Sequence, residues 1–109
     1  MKTDKLGFGE QSKPFGTVNI CGFEVEIRKV SIVAFSSHFC AYAKLKGSKA
    51  LSESDLGYPT FKQGDWVGID TAHHFNMTQT EAEKLYDALI QIEGVIRAYQ
   101  KAMKRRKHK

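Results

Sequence analysis

The last third of the sequence carries the pattern that most constrains the fold. Apolar side chains recur there with alternating spacings of three and four, at Ala82, Leu85, Leu89, Ile92, Ile96, Tyr99 and Met103. This period predicts one long amphipathic α-helix. Thr78 and Glu81 have the spacing of a capping box, in which each side chain bonds the backbone amide of the other residue. We therefore predict a helix over residues 78–104 and a basic tail over residues 105–109.

Earlier segments alternate apolar and polar residues, which is the pattern of strands with one buried face. Residues 38–45 and 66–71 are the clearest cases, and residues 17–28 predict a hairpin that turns at Cys21 and Gly22. One buried sheet face needs a partner layer, and the helix supplies it. The predicted fold is α+β, with a small, mainly antiparallel sheet of three to five strands packed by one long C-terminal helix.

The chain of 109 residues is long enough for one domain with one core. We expect an irregular N-terminal arm over residues 1–16, held to the body by Phe8 and Phe15, and a sheet region over residues 17–77. A helix of this length, about 39 Å, exceeds the span of so small a sheet. Its C-terminal half is therefore expected to pack on a second copy of the chain, and Gly94 would permit a close helix crossing.

The composition of the chain limits which cellular compartments and which partners are expected. The sequence has no apolar run long enough for a membrane span and no apolar signal core, and its two cysteines lack a paired spacing. These features predict a cytoplasmic protein with reduced thiols. Six cations fall in the last nine residues, so the net charge of +5 belongs to the C-terminal end. Lys104, Arg105, Arg106 and Lys107 are candidates for nucleic-acid or phosphate contacts. The alternative is a solvated helix end whose cations suit the helix dipole.

The strand alternation also predicts a site. If Phe39 and Val67 face the core, then His38 and Asp70 share the opposite face of the sheet. Gly68 is expected to leave a shallow opening on that face. The candidate ligand-binding residues are His38, Tyr42, Tyr58, Trp66, Asp70, His73 and Asn76. We expect four of them to form one cluster, namely His38, Trp66, Asp70 and His73.

Several chemistries fit these residue types. Asp70, His73 and His74, approached by His38 and Cys40, are ligands that zinc accepts, although the helical His-x-x-x-His spacing is absent. Asp70 could instead orient His38 or His73 for acid–base catalysis. No nucleophile elbow, dinucleotide loop or phosphate loop is present. Because no catalytic set is complete, the sequence favours a binding protein over an enzyme, and no cofactor is expected.

Three segments resemble the motifs of a set of small phage-encoded proteins. Residues 38–42, 57–61 and 66–73 are similar to H-x-C-G-Y, G-G-x-T-aromatic and W-x-G-F-D-C-A-H. The chain departs from these patterns at Ala41, Tyr58, Ile69 and Thr71. Threonine at position 71 removes any cysteine role there. The resemblance covers about a third of the chain. It implies a phage accessory product that acts against host defence, in the cytoplasm of an infected or lysogenic bacterium, and it carries no catalytic assignment.

The functional hypothesis that follows is a non-enzymatic binding protein. It would sequester a small anionic or nucleotide ligand, or block a host protein. The first alternative is a phosphate-ester hydrolase that depends on a metal ion or on a histidine–aspartate pair, with His38, Asp70 and His73 at its centre. A further alternative is a nucleic-acid-binding protein that uses the basic C-terminal end.

Overall fold

The computed structural model describes residues 1–31, 37–71 and 79–107, and these residues form an antiparallel sheet followed by a long helix. The sheet has the strand order β1-β2-β3-β5-β4. The elements are β1 (Ser12–Ile20), β2 (Phe23–Val30), β3 (His38–Lys44), β4 (Phe61–Gln63), β5 (Trp66–Asp70) and α1 (Glu81–Lys107). The predicted α+β fold is confirmed. Within the described residues, no helix has both the length and the hydropathy of a membrane span.

The core lies between α1 and the central strands. Phe39 and Ala41 of β3 are buried there with Val67 and Ile69 of β5, as the alternation predicts. The buried line on the helix consists of Ala88, Ile92, Val95, Ile96, Tyr99 and Ala102. Of the predicted stripe, Ile92, Ile96 and Tyr99 are buried and Leu85, Leu89 and Met103 pack against the core, whereas its first member, Ala82, is exposed.

The C-terminal half of α1 is covered by the same chain. Leu45, Leu51 and Leu56, from the connection between β3 and β4, are buried against it. The Tyr99 hydroxyl donates a hydrogen bond to the carbonyl of Lys46 at 2.6 Å. We expected a second copy of the chain because the predicted sheet is too short to cover the C-terminal half of the helix. Since the β3–β4 connection covers it, this argument no longer supports self-association, which stays a prediction.

The helix starts later than predicted. Thr80 Oγ1 accepts a hydrogen bond from the Glu83 amide, and the Thr80 amide donates to Glu83 Oε1, both at 3.2 Å. The capping box is therefore Thr80 with Glu83, and Thr78 lies outside the described residues. The Glu81 carboxylate contacts Lys29 Nζ at 2.7 Å instead, and it accepts a hydrogen bond from Ser37. These two contacts lower the pKa of Glu81 and join the helix start to the sheet.

The N-terminal residues are more ordered than an irregular arm. Lys2–Leu6 form a 3-10 helix, and β1 begins at Ser12. The alternation of β1 is hidden because the register shifts between Pro14 and Gly16. Proline is tolerated here because β1 is an edge strand. The predicted turn at Cys21 and Gly22 is present, with φ of 54° and 86°, the left-handed values that a two-residue hairpin turn requires.

Candidate functional site

The sheet face turned away from α1 is polar and carries most of the candidate residues. The side chains on it are Glu24, Glu26, Arg28, His38, Cys40, Tyr42, Lys44, Trp66 and Asp70. Cys40 pairs with Asp70, and Lys44 pairs with Trp66 across β3 and β5. Because paired residues point to the same face, the predicted alignment of these two strands holds.

The N-terminal segment covers the centre of this polar face. Thr3 is fully buried, and its amide and hydroxyl each donate to Glu26 Oε1 at 3.0 Å. Arg28 Nη1 donates to Thr3 Oγ1 at 2.9 Å and to Asp4 Oδ1 at 2.8 Å. The contact with Arg28 lowers the pKa of Asp4. These charge-assisted hydrogen bonds hold the segment on the sheet, so the centre of the face is closed.

Aromatic rings fill the position where an opening was predicted. The Tyr42 ring lies against Gly68, so closely that a side-chain carbon at position 68 would overlap it. Phe8 packs on Tyr42 with ring centroids 4.8 Å apart, and Phe61 meets Tyr42 edge to face at 5.2 Å. The prediction of a shallow opening at Gly68 is therefore wrong, because the neighbouring strand supplies the ring that occupies it. Tyr42 is buried and its pKa is raised by that burial.

One end of the polar face brings together three side chains of metal-ligand type. His38, Cys40 and Asp70 each place one ligand atom so that all three atoms lie within 4.8 Å of one another. His38 Nε2 is 3.1 Å from Asp70 Oδ1, but the pair lacks the geometry of a hydrogen bond. Among the described residues, this buried nitrogen has no hydrogen-bond partner. Asp70 is half exposed, so solvent reaches the cluster from its side.

The surroundings of Cys40 keep it a thiol. Burial, and then the negative charge of Asp70, raise the pKa of Cys40 to about 12. The nucleophilic form of cysteine is the thiolate, which is scarce at neutral pH when the pKa is this high. A cysteine nucleophile that is activated by a base has a lowered pKa, whereas the pKa of Cys40 is raised, so Cys40 does not have the character of such a nucleophile.

Trp66 lies at the other end of the face. It is four residues from Asp70 along β5, a distance of about 13 Å at the rise of a strand. The prediction that Trp66 clusters with His38 and Asp70 is therefore wrong. Trp66 instead borders a surface depression of about 540 Å³. The other residues that line it are Lys2, Glu24, Glu26, Lys44, Lys46 and Asp65.

The remaining candidates lie elsewhere. Tyr58 is 72% exposed, with φ of 58°, and it borders a depression beside Gln91 and Gly94 of α1. It is not part of the polar face. His73, His74 and Asn76 lie outside the described residues, so their predicted roles stay predictions.

The four basic candidates from Lys104 to Lys107 belong to α1, so the predicted tail does not begin at residue 105. Arg105 Nη2 is 3.7 Å from Asp55 Oδ1, and Arg106 Nη1 donates to the carbonyl of Ala50 at 3.3 Å. Both guanidinium groups therefore contact the β3–β4 connection. Lys104 is exposed on the helix surface. The side chain of Lys107, the last helical residue, is outside the described part.

Sequence reasoning missed the lysines around Trp66. Lys44 is marked by the alternation of β3, which places it on the same face as Tyr42, but Lys2 and Lys46 carry no local signal. The sequence predicts Cys40 only as a possible metal ligand and not as one of the ligand-binding residues. The chain matches no protein-family model, and no curated protein or solved structure is detectably similar to it.

Proposed function

We propose that this chain is a non-enzymatic binding protein that holds a small anionic ligand with a planar ring, of the nucleotide class, beside Trp66. The observation that supports this proposal is the position of Trp66 in a depression that also contains three lysines. The volume of about 540 Å³ lies within the usual range of small-molecule sites, roughly 300–1,000 Å³.

The chemistry of the lining fits a nucleotide better than a bare anion. Lys2, Lys44 and Lys46 offer ammonium groups for phosphate oxygens, and the indole face of Trp66 offers a surface on which a base stacks. The depression also holds carboxylates. Glu26 is engaged by Thr3, and Asp65 Oδ1 accepts a hydrogen bond from the Lys49 amide at 3.0 Å.

The depression is lined by both cationic and anionic side chains. This favours a ligand that carries an anionic group together with hydrogen-bond donors. Glu24 is exposed and free to accept hydrogen bonds from an amino group or a ribose hydroxyl, since carboxylates are strong acceptors. Inorganic phosphate has neither a ring to stack on Trp66 nor an amino group or ribose hydroxyl to donate to Glu24. Selectivity for nucleotides over phosphate is therefore part of the proposal.

Sequestration agrees with the role that the motif resemblance implies. A phage product that holds a nucleotide signal and leaves it unchanged would lower the concentration of that signal in the host. The other form of the hypothesis, a protein that blocks a host protein, predicts a protein partner and no small ligand. Co-purification from host lysate distinguishes the two forms.

Trp66 itself reports binding, because it is the only tryptophan in the chain. We expect a nucleotide to change its fluorescence in a saturable way. Lys44→Ala should weaken binding about tenfold or more, the loss expected for one hydrogen bond to a charged group. Lys101→Ala is the matched control, because Lys101 is exposed on α1, away from the depression. If Lys101→Ala weakens binding as much as Lys44→Ala, or if no nucleotide changes the fluorescence, the proposal is wrong.

A second candidate is hydrolysis of a phosphate ester at the His38 end of the face. The contact between Nε2 of His38 and the half-exposed Asp70 carboxylate favours it, because a carboxylate beside an imidazole is a common acid–base pair. Turnover of a generic aryl phosphate diester that is lost in Asp70→Asn would support hydrolysis.

Nucleic-acid binding through the C-terminal end is the third candidate. In the part of the helix whose side chains are described, Lys101, Lys104, Arg105 and Arg106 are all exposed, and the two arginines also contact the β3–β4 connection. Such binding would be independent of sequence and would weaken steeply with salt. A salt titration with duplex DNA tests it.

A further inference from the structure

The cluster of His38, Cys40 and Asp70 is not used by the proposed nucleotide site, which lies at the other end of the polar face. Its three side chains come from two adjacent strands. His38 and Cys40 are two residues apart on β3, and Asp70 is paired with Cys40 on β5. A paired register in the middle of a sheet holds side chains in a defined relation, so the cluster is a preformed arrangement and not a chance surface contact.

The imidazole is the unusual member of this cluster. The His38 side chain is 92% buried, since only 8% of it is exposed, and Nε2 lies against the Asp70 carboxylate without a hydrogen bond to it. Buried polar atoms in proteins are almost always paired, because an unpaired one has lost its water without replacement. His38 Nε2 lies buried beside a carboxylate oxygen and a sulfur, and it has no partner in the described part of the chain. A metal ion, which accepts lone pairs from all three atoms, would satisfy this nitrogen.

We propose that His38 Nε2, Cys40 Sγ and a carboxylate oxygen of Asp70 bind one divalent transition-metal ion of the zinc type. One nitrogen, one sulfur and one oxygen are ligands that zinc combines in proteins. The sulfur disfavours magnesium and calcium, which select oxygen ligands.

The spacing of the ligand atoms is close to what such an ion needs. Zinc bonds of 2.0–2.3 Å in tetrahedral geometry place ligand atoms roughly 3.2–3.8 Å apart. The His38 and Asp70 atoms are already 3.1 Å apart, and no pair in the cluster exceeds 4.8 Å. Small side-chain rotations would therefore complete the coordination without a change in the strands.

The charges around the cluster are compatible with a cation. Asp70 contributes one negative charge, and Cys40 contributes a second when the ion displaces the thiol proton to solvent. Among the described residues, the cation that opposes this charge is Arg28, which is paired with Cys40 across β2 and β3. Its guanidinium group is occupied by Asp4, Thr3 and Ser12, so it is turned toward the N-terminal segment.

The described residues supply three ligands, which leaves a fourth position on a tetrahedral ion. Metal sites with three protein ligands and one exchangeable position are typical of zinc enzymes, whereas structural zinc sites have four protein ligands. Solvent reaches this cluster past the half-exposed Asp70 side chain. The metal site does not depend on the nucleotide proposal, and it would give the second candidate function its water-activating group.

Cobalt binding tests the site directly. The full untagged chain is freed of metal with a chelator, then titrated with Co²⁺, with zinc content measured in parallel by mass spectrometry. We expect one metal ion per chain, a sulfur-to-cobalt charge-transfer band, and release of one proton. Cys40→Ser should abolish the band, and Cys21→Ser should retain it, because Cys21 is the other cysteine and lies exposed in the β1–β2 turn.

Asp70→Asn keeps the test decisive if Cys40→Ser fails to fold, since Asp70 is half exposed and its replacement leaves the core intact. This variant should weaken cobalt binding by at least about 10- to 100-fold, the loss caused even by removal of an outer-shell partner. A folded wild-type chain that binds no cobalt or zinc at one equivalent overturns the proposal. So does a charge-transfer band that depends on Cys21 and not on Cys40.

Discussion

At the scale of single residues, Gly68 and Tyr42 decide which part of the polar face is closed. A glycine in a strand can indicate either an opening or a close approach by another group. At Gly68 the Tyr42 ring approaches the backbone closely, because the register of β3 and β5 places Tyr42 beside the glycine. Phe8 and Phe61 pack on the ring and hold it there. The sequence showed the glycine, but the ring that fills the space depends on pairing between strands about 26 residues apart.

Replacement of Gly68 by alanine tests this contact. The added carbon would overlap the Tyr42 ring, so we expect Gly68→Ala to lower the free energy of unfolding by about 1–3 kcal/mol. Gly9→Ala is the control, because an added carbon at Gly9 meets nothing within 4 Å, and the change should stay within about 0.5 kcal/mol. Urea unfolding measures both. Equal effects of the two substitutions would show that Tyr42 does not pack on Gly68.

At the scale of elements, local periodicity predicted the central strands and the helix correctly and failed at the edges. β3 and β5 have one buried and one polar face, so their alternation is visible in the sequence. β1 is an edge strand with a proline and a shifted register, and both features mask its period. The start of α1 was misplaced because Glu81 and Glu83 both follow a threonine by three residues, and only tertiary contacts distinguish them. Glu81 is used by Lys29 of β2.

Two substitutions in α1 test how the helix packs. Ile96 is fully buried in the core, so Ile96→Ala should lower the free energy of unfolding by about 2–5 kcal/mol. Gly94 faces open space, so Gly94→Ala should raise the free energy of unfolding by about 0.5–1 kcal/mol through helix propensity. Chemical denaturation with light scattering checks both. A loss of stability or a change of mass in Gly94→Ala would instead support a close helix crossing with a second copy.

At the scale of the whole molecule, contacts distant in sequence determine which candidate residues are accessible. Thr3 reaches Glu26 across 23 positions and Arg106 reaches Ala50 across 56. Residues 1–8 thereby close the centre of the polar face, and the β3–β4 connection covers the helix. No local pattern predicts either contact. The alternation correctly brought His38 beside Asp70. It also puts Trp66 on the same face, but the four-residue separation of Trp66 and Asp70 places them about 13 Å apart along the strand, so a shared face does not make one cluster.

The central claim is that the chain binds a nucleotide and does not transform it. The most direct test incubates the intact protein with a panel of nucleotides, separates bound from free ligand by equilibrium dialysis, and identifies every recovered species by mass spectrometry. We predict that one nucleotide is retained at one equivalent per chain, is recovered chemically unchanged, and is retained less by Lys44→Ala. Recovery of a hydrolysed product, or no retention of any nucleotide by the folded chain, would contradict the account.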